Sequence, residues 1–206
     1  PEGVYINPIL ERSELIGKTT TTVFENLIFG CIIVFLVVLL LLGNLRSALV
    51  IASMIPLALF FTLSMMFIFG IDANLMSLGA LDFGIIIDGA VIIVEFIAVR
   101  MLANKEKLNA LQGEEHQSLM DKITLNGASK MMTSAIFGQV IILIVFIPIL
   151  SLQGVEGKMF RPMALAFSFA IIGAMFLCLT WLPVAASMFL KPQEPGKKNI
   201  SERVFK

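Results

Sequence analysis

Residues 75–99 read LMSLGALDFGIIIDGAVIIVEFIAV, a run with no Lys or Arg that carries three acids, Asp82, Asp88 and Glu95. A helix needs roughly 17–25 mostly apolar residues to cross about 30 Å of hydrocarbon, so this run is long enough to span a bilayer. An Asp near the centre of such a helix costs roughly 2.5–3.5 kcal/mol, and three acids about 8–10 kcal/mol. That sum rivals the whole net stability of a typical domain, about 5–15 kcal/mol, which argues for a functional reason behind the acids. At about 1.5 Å and 100° per residue, Asp88 and Glu95 fall on one helix face about 10 Å apart. Asp82 lies about 9 Å from Asp88 toward the other end, rotated by about 120°.

Working outward, four more runs lack any charge: residues 26–43, 47–71, 131–155 and 162–190. The five runs hold 122 of the 206 residues and three charges, while the remaining 84 residues hold 27. The chain is 58% apolar and 15% charged, against roughly 45–50% and 25% in soluble domains. These figures exclude a water-soluble globular domain, a collagenous chain and a disordered one. They predict an all-α, polytopic transmembrane helix bundle of five spans. Formal charge is zero, so no basic field points to nucleic acid. Cys31 and Cys178 fall inside spans without a CxxC, which supports neither a disulfide framework nor a zinc knuckle.

Five crossings make the connections alternate sides, and their Lys and Arg divide unequally. One side collects Arg46, the basic residues of 100–130 and those of 191–206, eleven in all; the other collects Arg12, Lys18, Lys158 and Arg161. The positive-inside rule then puts the amino-terminal segment outside, and the 100–130 loop and the 191–206 tail in the cytoplasm. No initiator Met or secretory signal precedes a chain that starts outside, so a fragment of a longer membrane protein is expected. Residues 1–25 are expected to be the end of an external domain, with 9–25 an amphipathic lead-in on the outer surface or an extended linker. The short connection 72–74 predicts a tight antiparallel hairpin of spans two and three. Residues 100–130 predict cytoplasmic surface helices broken near Gly113, and Pro56, Pro148 and Pro183 predict kinks or local unwinding, which neighbouring helices make tolerable.

With no basic residue in any span, the three acids must be protonated, paired with a cation from elsewhere, or face water. An apolar medium disfavours a carboxylate against its neutral acid, and a group poised between the two can load a proton on one side and release it on the other. A proton relay through Asp82, Asp88 and Glu95 is the functional expectation. A structural hydrogen bond, or an ion pair with a helix outside this chain, is the alternative, and Glu95 near the boundary could simply snorkel beside Arg100. Small residues surround the acids, among them Gly84 and Gly89, and Ala80 with Gly84 forms a small-xxx-small pair that lets another helix approach. Thioethers suit soft copper or silver, but Met is also ordinary packing material, so the metal ligands stay unassigned. His116 reads as solvated surface. An intramembrane aspartyl protease needs two carboxyls sharing a proton, whereas these acids are about 9–10 Å apart on one helix.

The stretches ENLIFG (25–30), LGNLRSALV (42–50), IPLAL (55–59), LGALDFGIIIDGAVIIVE (78–95), TSAIFGQVIILIVFIPIL (133–150) and EGKMFRPMALAFSFA (156–170) resemble the resistance-nodulation-division transporters. Within that superfamily the resemblance is to the heavy-metal efflux branch, and the DFG and DGA pattern is more similar to the cobalt-zinc-cadmium or nickel subgroup than to the copper-silver one. The multidrug branch carries two adjacent acids where this chain has Asp88-Gly89. The resemblance implies that the five spans are the family's second to sixth membrane helices, half of a pseudo-repeat transporter. It implies that Asp82, Asp88 and Glu95 occupy the acidic positions of the fourth, proton-translocating helix. It further implies a homotrimer in the bacterial inner membrane, joined to a periplasmic adaptor and an outer-membrane channel, that exports heavy-metal cations by proton antiport and needs no cofactor. Phe96 departs from the pattern, since relatives usually have Asn there.

Two other readings remain open. One is a proton-coupled exporter of the same superfamily with another substrate, a drug or an exported protein. The other is a non-transporting structural membrane subunit, which would need no protonatable ladder.

Overall fold

The computed structural model describes residues 12–71, 83–111 and 113–190. Within these residues the chain is helical throughout: α1 (Arg12–Leu42), α2 (Leu45–Ile68), α3 (Phe83–Ala103), α4 (Lys105–Ala110), α5 (Glu114–Leu150), α6 (Gly154–Leu179) and α7 (Trp181–Phe189). Asp82, the 72–74 connection and the 191–206 tail lie outside the described residues.

α2, α5 and α6 are long and apolar enough to cross a membrane, and α1 contributes a shorter apolar stretch, Leu27–Leu42. α3 is equally apolar apart from Asp88, Glu95 and Arg100. With no strand among the described residues, the chain is an all-α transmembrane helix bundle.

Helix ends fall elsewhere than apolar-run ends. Residues 12–25, expected as a separate lead-in or linker, continue without a break into the first span as α1. No Pro interrupts them, and Thr21 and Thr22 donate their hydroxyls to the carbonyls of Gly17 and Lys18 one turn back. The 100–130 loop likewise gives only the short α4 before Gly113, whose φ of 65° is a conformation that glycine adopts freely. Beyond it, α5 runs 37 residues without interruption, about 55 Å, nearly twice the thickness of the hydrocarbon. Its amino-terminal half, with Glu114, Glu115, Asp121, Lys122 and Lys130, is polar enough to stand outside the apolar layer. The last span divides at Thr180, and Pro183 sits in the first turn of α7, where a missing N–H leaves nothing unsatisfied.

The α1–α2 corner is built from two residues. Gly43, at φ 61°, donates its N–H to the Leu39 carbonyl, a glycine helix stop. Asn44 then caps α2 by accepting the Arg46 N–H at 3.0 Å, satisfying one of the free donors of the new helix.

α3 is the hub. Its buried residues Ile86, Ile87, Gly89, Ala90, Ile93, Val94, Ile97 and Met101 pack most extensively against α5 and also against α2, α6, α1 and α7. In lipid, helices gain little hydrophobic free energy by associating, so close packing of small residues has to hold them together. Three glycines show how close it is. A Cβ on Gly127 of α5 would sit 3.0 Å from Ile97, one on Gly30 of α1 would sit 2.7 Å from the Phe83 ring, and one on Gly173 of α6 would sit 2.5 Å from the Phe61 ring. Two buried hydroxyls are satisfied within their own helices, Thr62 on the Ala58 carbonyl and Thr124 on the Met120 carbonyl, while Ser47 Oγ has no partner among the described residues. The outward residues of α1 and α5, such as Ile33, Leu40, Phe137, Ile141 and Val145, are large, apolar and exposed, as lipid-facing surface requires.

Candidate functional site

Two faces of α3 differ in kind. Gly89, Ala90, Ile93, Val94 and Ile97 are buried in the bundle, while Asp88, Ile92, Glu95, Val99 and Leu102 are exposed. The exposed positions recur every three or four residues, which is one stripe of an α-helix. Both described acids therefore stand on the same open face, two turns apart. Asp82 lies just before the start of α3, outside the described residues. Gly84 is half-buried in the first turn.

Behind the acids, Gly89 is buried where α3 meets α5 and α6. A Cβ added there would lie 3.1 Å from Gln139 Nε2, 3.5 Å from Ala135 and 3.6 Å from Cys178 Sγ. The absence of a side chain at Gly89 thus lets a polar group from α5 reach the backbone of the helix that carries Asp88. Gln139 is 3% exposed, and its Nε2 has no hydrogen-bond partner among the described residues. An unsatisfied buried amide costs about 1–3 kcal/mol, which makes its retention at this position notable. The sequence signal for it is a lone amide in the middle of an apolar run; a search keyed to charge passes over it.

At the far end of α3, Phe96 organises positive charge. The Arg100 guanidinium lies 5.1 Å from the centre of its ring, and the Lys130 ammonium, arriving from α5, lies 6.0 Å from it. Both distances are within the reach of a cation–π attraction. Arg100 thus packs over the aromatic face of Phe96, the residue that follows Glu95.

The described residues contain no cluster of three or more His, Cys, Asp or Glu that could hold a metal ion. Met54, Met66, Met101 and Met120 are buried in the apolar core and act there as packing. His116 is half-buried in the first turn of α5.

Comparison with known proteins agrees with this architecture. All of residues 1–206 match the AcrB/AcrD/AcrF family. The chain is 45% identical over 199 residues to the cobalt-zinc-cadmium resistance protein CzcA of Cupriavidus metallidurans, covering 97% of this chain and 18% of that protein. It is 42% identical over 191 residues to the nickel and cobalt resistance protein CnrA of the same species, covering 93% of this chain and 18% of that protein. Against the cation efflux system protein CusA of Escherichia coli, identity is 32% over 206 residues, covering 97% of this chain and 19% of that protein. The crystal structure of a heavy metal efflux pump superposes with a TM-score of 0.68 at 34% identity, covering 91% of this chain and 17% of that one. The chain therefore spans under a fifth of the length of each of these relatives. Matched along its whole length, and with relatives that are metal resistance and cation efflux proteins, this chain belongs to the AcrB/AcrD/AcrF family of multi-pass membrane transport proteins, on its heavy-metal efflux branch.

Proposed function

We propose that this chain is the proton-conducting half-bundle of a pump that exports heavy-metal cations across the bacterial inner membrane in exchange for protons. The observation that carries the reading is the stripe on α3: Asp88 and Glu95 share one open face of a helix otherwise apolar enough to lie in lipid. Asp82 would extend the relay toward the outer side.

The working principle is electrostatic. An ionised carboxylate at this depth is worth roughly 2.5–3.5 kcal/mol of unfavourable transfer, and protonation removes most of it. A protonated α3 can therefore pack its stripe against an apolar neighbour, while an ionised one requires water or a cation. Loading and releasing a proton thus biases which of two packings α3 adopts, and a conformational equilibrium shifts by as much as the two states differ in affinity for the proton. Gly89 and Gly127, which let α5 approach α3 closely, supply a smooth contact along which such a shift can occur. The pair of cations near Phe96 places positive charge at the Glu95 end of the stripe.

The eleven-to-four distribution of Lys and Arg supports a cytoplasmic position for the α4–α5 region and an outer position for the α5–α6 turn. By family, the whole pump works as a homotrimer with a periplasmic adaptor and an outer-membrane channel. Metal rather than drug or protein cargo is favoured because the similar proteins named above are metal resistance and cation efflux proteins. The test is proton flux in proteoliposomes of the full-length protein, with and without Co²⁺, Zn²⁺ or Cd²⁺. Metal-stimulated proton movement supports the reading, and metal transport that is indifferent to the proton gradient overturns it.

A further inference from the structure

Beside the polar ends of α3 and α5 lies an open hollow of about 400 Å³ whose lining includes Arg100, Asn104, Lys122, Asn126, Gly127 and Lys130. Three of these residues are cations, two are amides, and the lining contains no carboxylate. Its remaining wall is apolar, from Leu119 and Ile123. The volume lies within the roughly 300–1,000 Å³ typical of small-molecule sites.

The site is built by the fold. Gly127 opens it, because a Cβ there would press on Ile97 at 3.0 Å and a larger side chain would fill the space. Phe96 holds Arg100 and Lys130 near one ring, so two like charges are kept close where repulsion would otherwise separate them. Asn104 anchors its own side chain by donating Nδ2 to the Arg100 carbonyl at 2.9 Å. An adjoining hollow shares Leu119 and Lys122 but carries Glu114 and Glu115, so the positive character is concentrated on the side facing α3.

Arg100 ends the apolar run of α3, and Lys130 immediately precedes that of α5. Both cations therefore stand at the depth where helices leave hydrocarbon, which is the depth of lipid headgroups. Basic pockets between membrane helices on the cytoplasmic side suit anionic headgroups, and the planar guanidinium of Arg100 matches phosphate oxygens in a bidentate manner. We propose that this hollow binds a phosphate group, with Arg100, Lys122 and Lys130 neutralising it and Asn126 donating to it. The position of Arg100 and Lys130 at the ends of the apolar runs of α3 and α5 assigns the phosphate to an anionic phospholipid. Only the cytoplasmic assignment of the site rests on the topology proposed above. Binding to purified protein reads the site alone, and thiol labelling at Ser118 reads sidedness alone, so the two can fail separately.

The test is calorimetric titration of delipidated full-length protein with short-chain phosphatidylglycerol, and separately with inorganic phosphate. Lys122→Gln with Lys130→Gln should weaken phosphatidylglycerol binding roughly thirtyfold, at the strength expected per basic residue near a membrane surface. The charge-matched pair Lys105→Gln with Lys107→Gln on α4 should leave binding unchanged, and Lys122→Arg with Lys130→Arg should retain it. The Arg pair also serves as the folding control, and the single Gln variants, each with a smaller loss, stand in if the Gln pair fails to assemble. Failure of millimolar inorganic phosphate to compete supports the lipid as the source, whereas competition by phosphate at equal affinity would overturn that assignment in favour of a soluble phosphate. No binding to the wild-type protein, or equal binding by the two Gln pairs, overturns the site.

Discussion

Asp88 and Gly89 are adjacent in sequence and opposite in environment: Asp88 is exposed on the open face of α3, and Gly89 is buried against Gln139, Ala135 and Cys178. The helix thus presents its acid on one side and its closest packing on the other. This division allows substitutions on the two faces to be read separately.

On the packed face, Gly89→Leu should force α5 and α6 away from α3, because even a methyl group would lie 3.1 Å from Gln139 Nε2. Overpacking of this kind costs about 1–3 kcal/mol. Lower thermal stability of the assembled full-length protein, measured by size-exclusion after heating, is the expected outcome. Unchanged stability would show that the α3–α5 contact is looser than described.

Gly173→Ala should be more damaging than Gly127→Ala by the same assay. The new methyl would lie 2.5 Å from the Phe61 ring and 3.3 Å from Phe61 Cβ, whereas at Gly127 it would lie 3.0 Å from Ile97 Cγ1. A loss of about 1–3 kcal/mol is expected at Gly173 and less at Gly127. The reverse order would contradict the packing of α6 on α2.

The sidedness of the bundle is checked with single cysteines in the full-length protein. Cysteine at Ser151 should react with an impermeant thiol reagent applied from outside, and cysteine at Ser118 should react only after the membrane is opened. The opposite pattern would invert the proposed topology.

What the sequence made legible was set by charge. Acids in an uncharged run identify themselves, so the helical spacing of Asp88 and Glu95 carried through to a shared exposed face. Helix ends were less legible: an apolar run marks the thickness of hydrocarbon and gives no sign that α1 continues back to Arg12 or that α5 continues back to Glu114. Gln139 and Gly127 went unassigned because their importance lies in contacts made across helices, which one chain segment does not encode. Phe96 was visible only as a departure from the family pattern, without the cations from α3 and α5 that lie near its ring.

Glu95→Gln tests the order of the relay. Glu95 lies nearer the polar end of α3 than Asp88 does, with Arg100 five residues beyond it, so water and cations are closer to it. Metal-driven proton flux should fall only a fewfold in this variant, while Asp82→Asn should be nearly as severe as the change at Asp88. A Glu95→Gln protein that is fully inactive at normal abundance would move the principal carrier from Asp88 to Glu95.

Asp88→Asn keeps the shape of the side chain and much of its hydrogen bonding but removes its ability to cycle a proton. Metal-dependent proton flux into proteoliposomes of the full-length Asp88→Asn protein, assembled at wild-type levels, should fall to that of empty vesicles. Flux at the wild-type rate in that variant would contradict the assignment of Asp88 as the proton carrier.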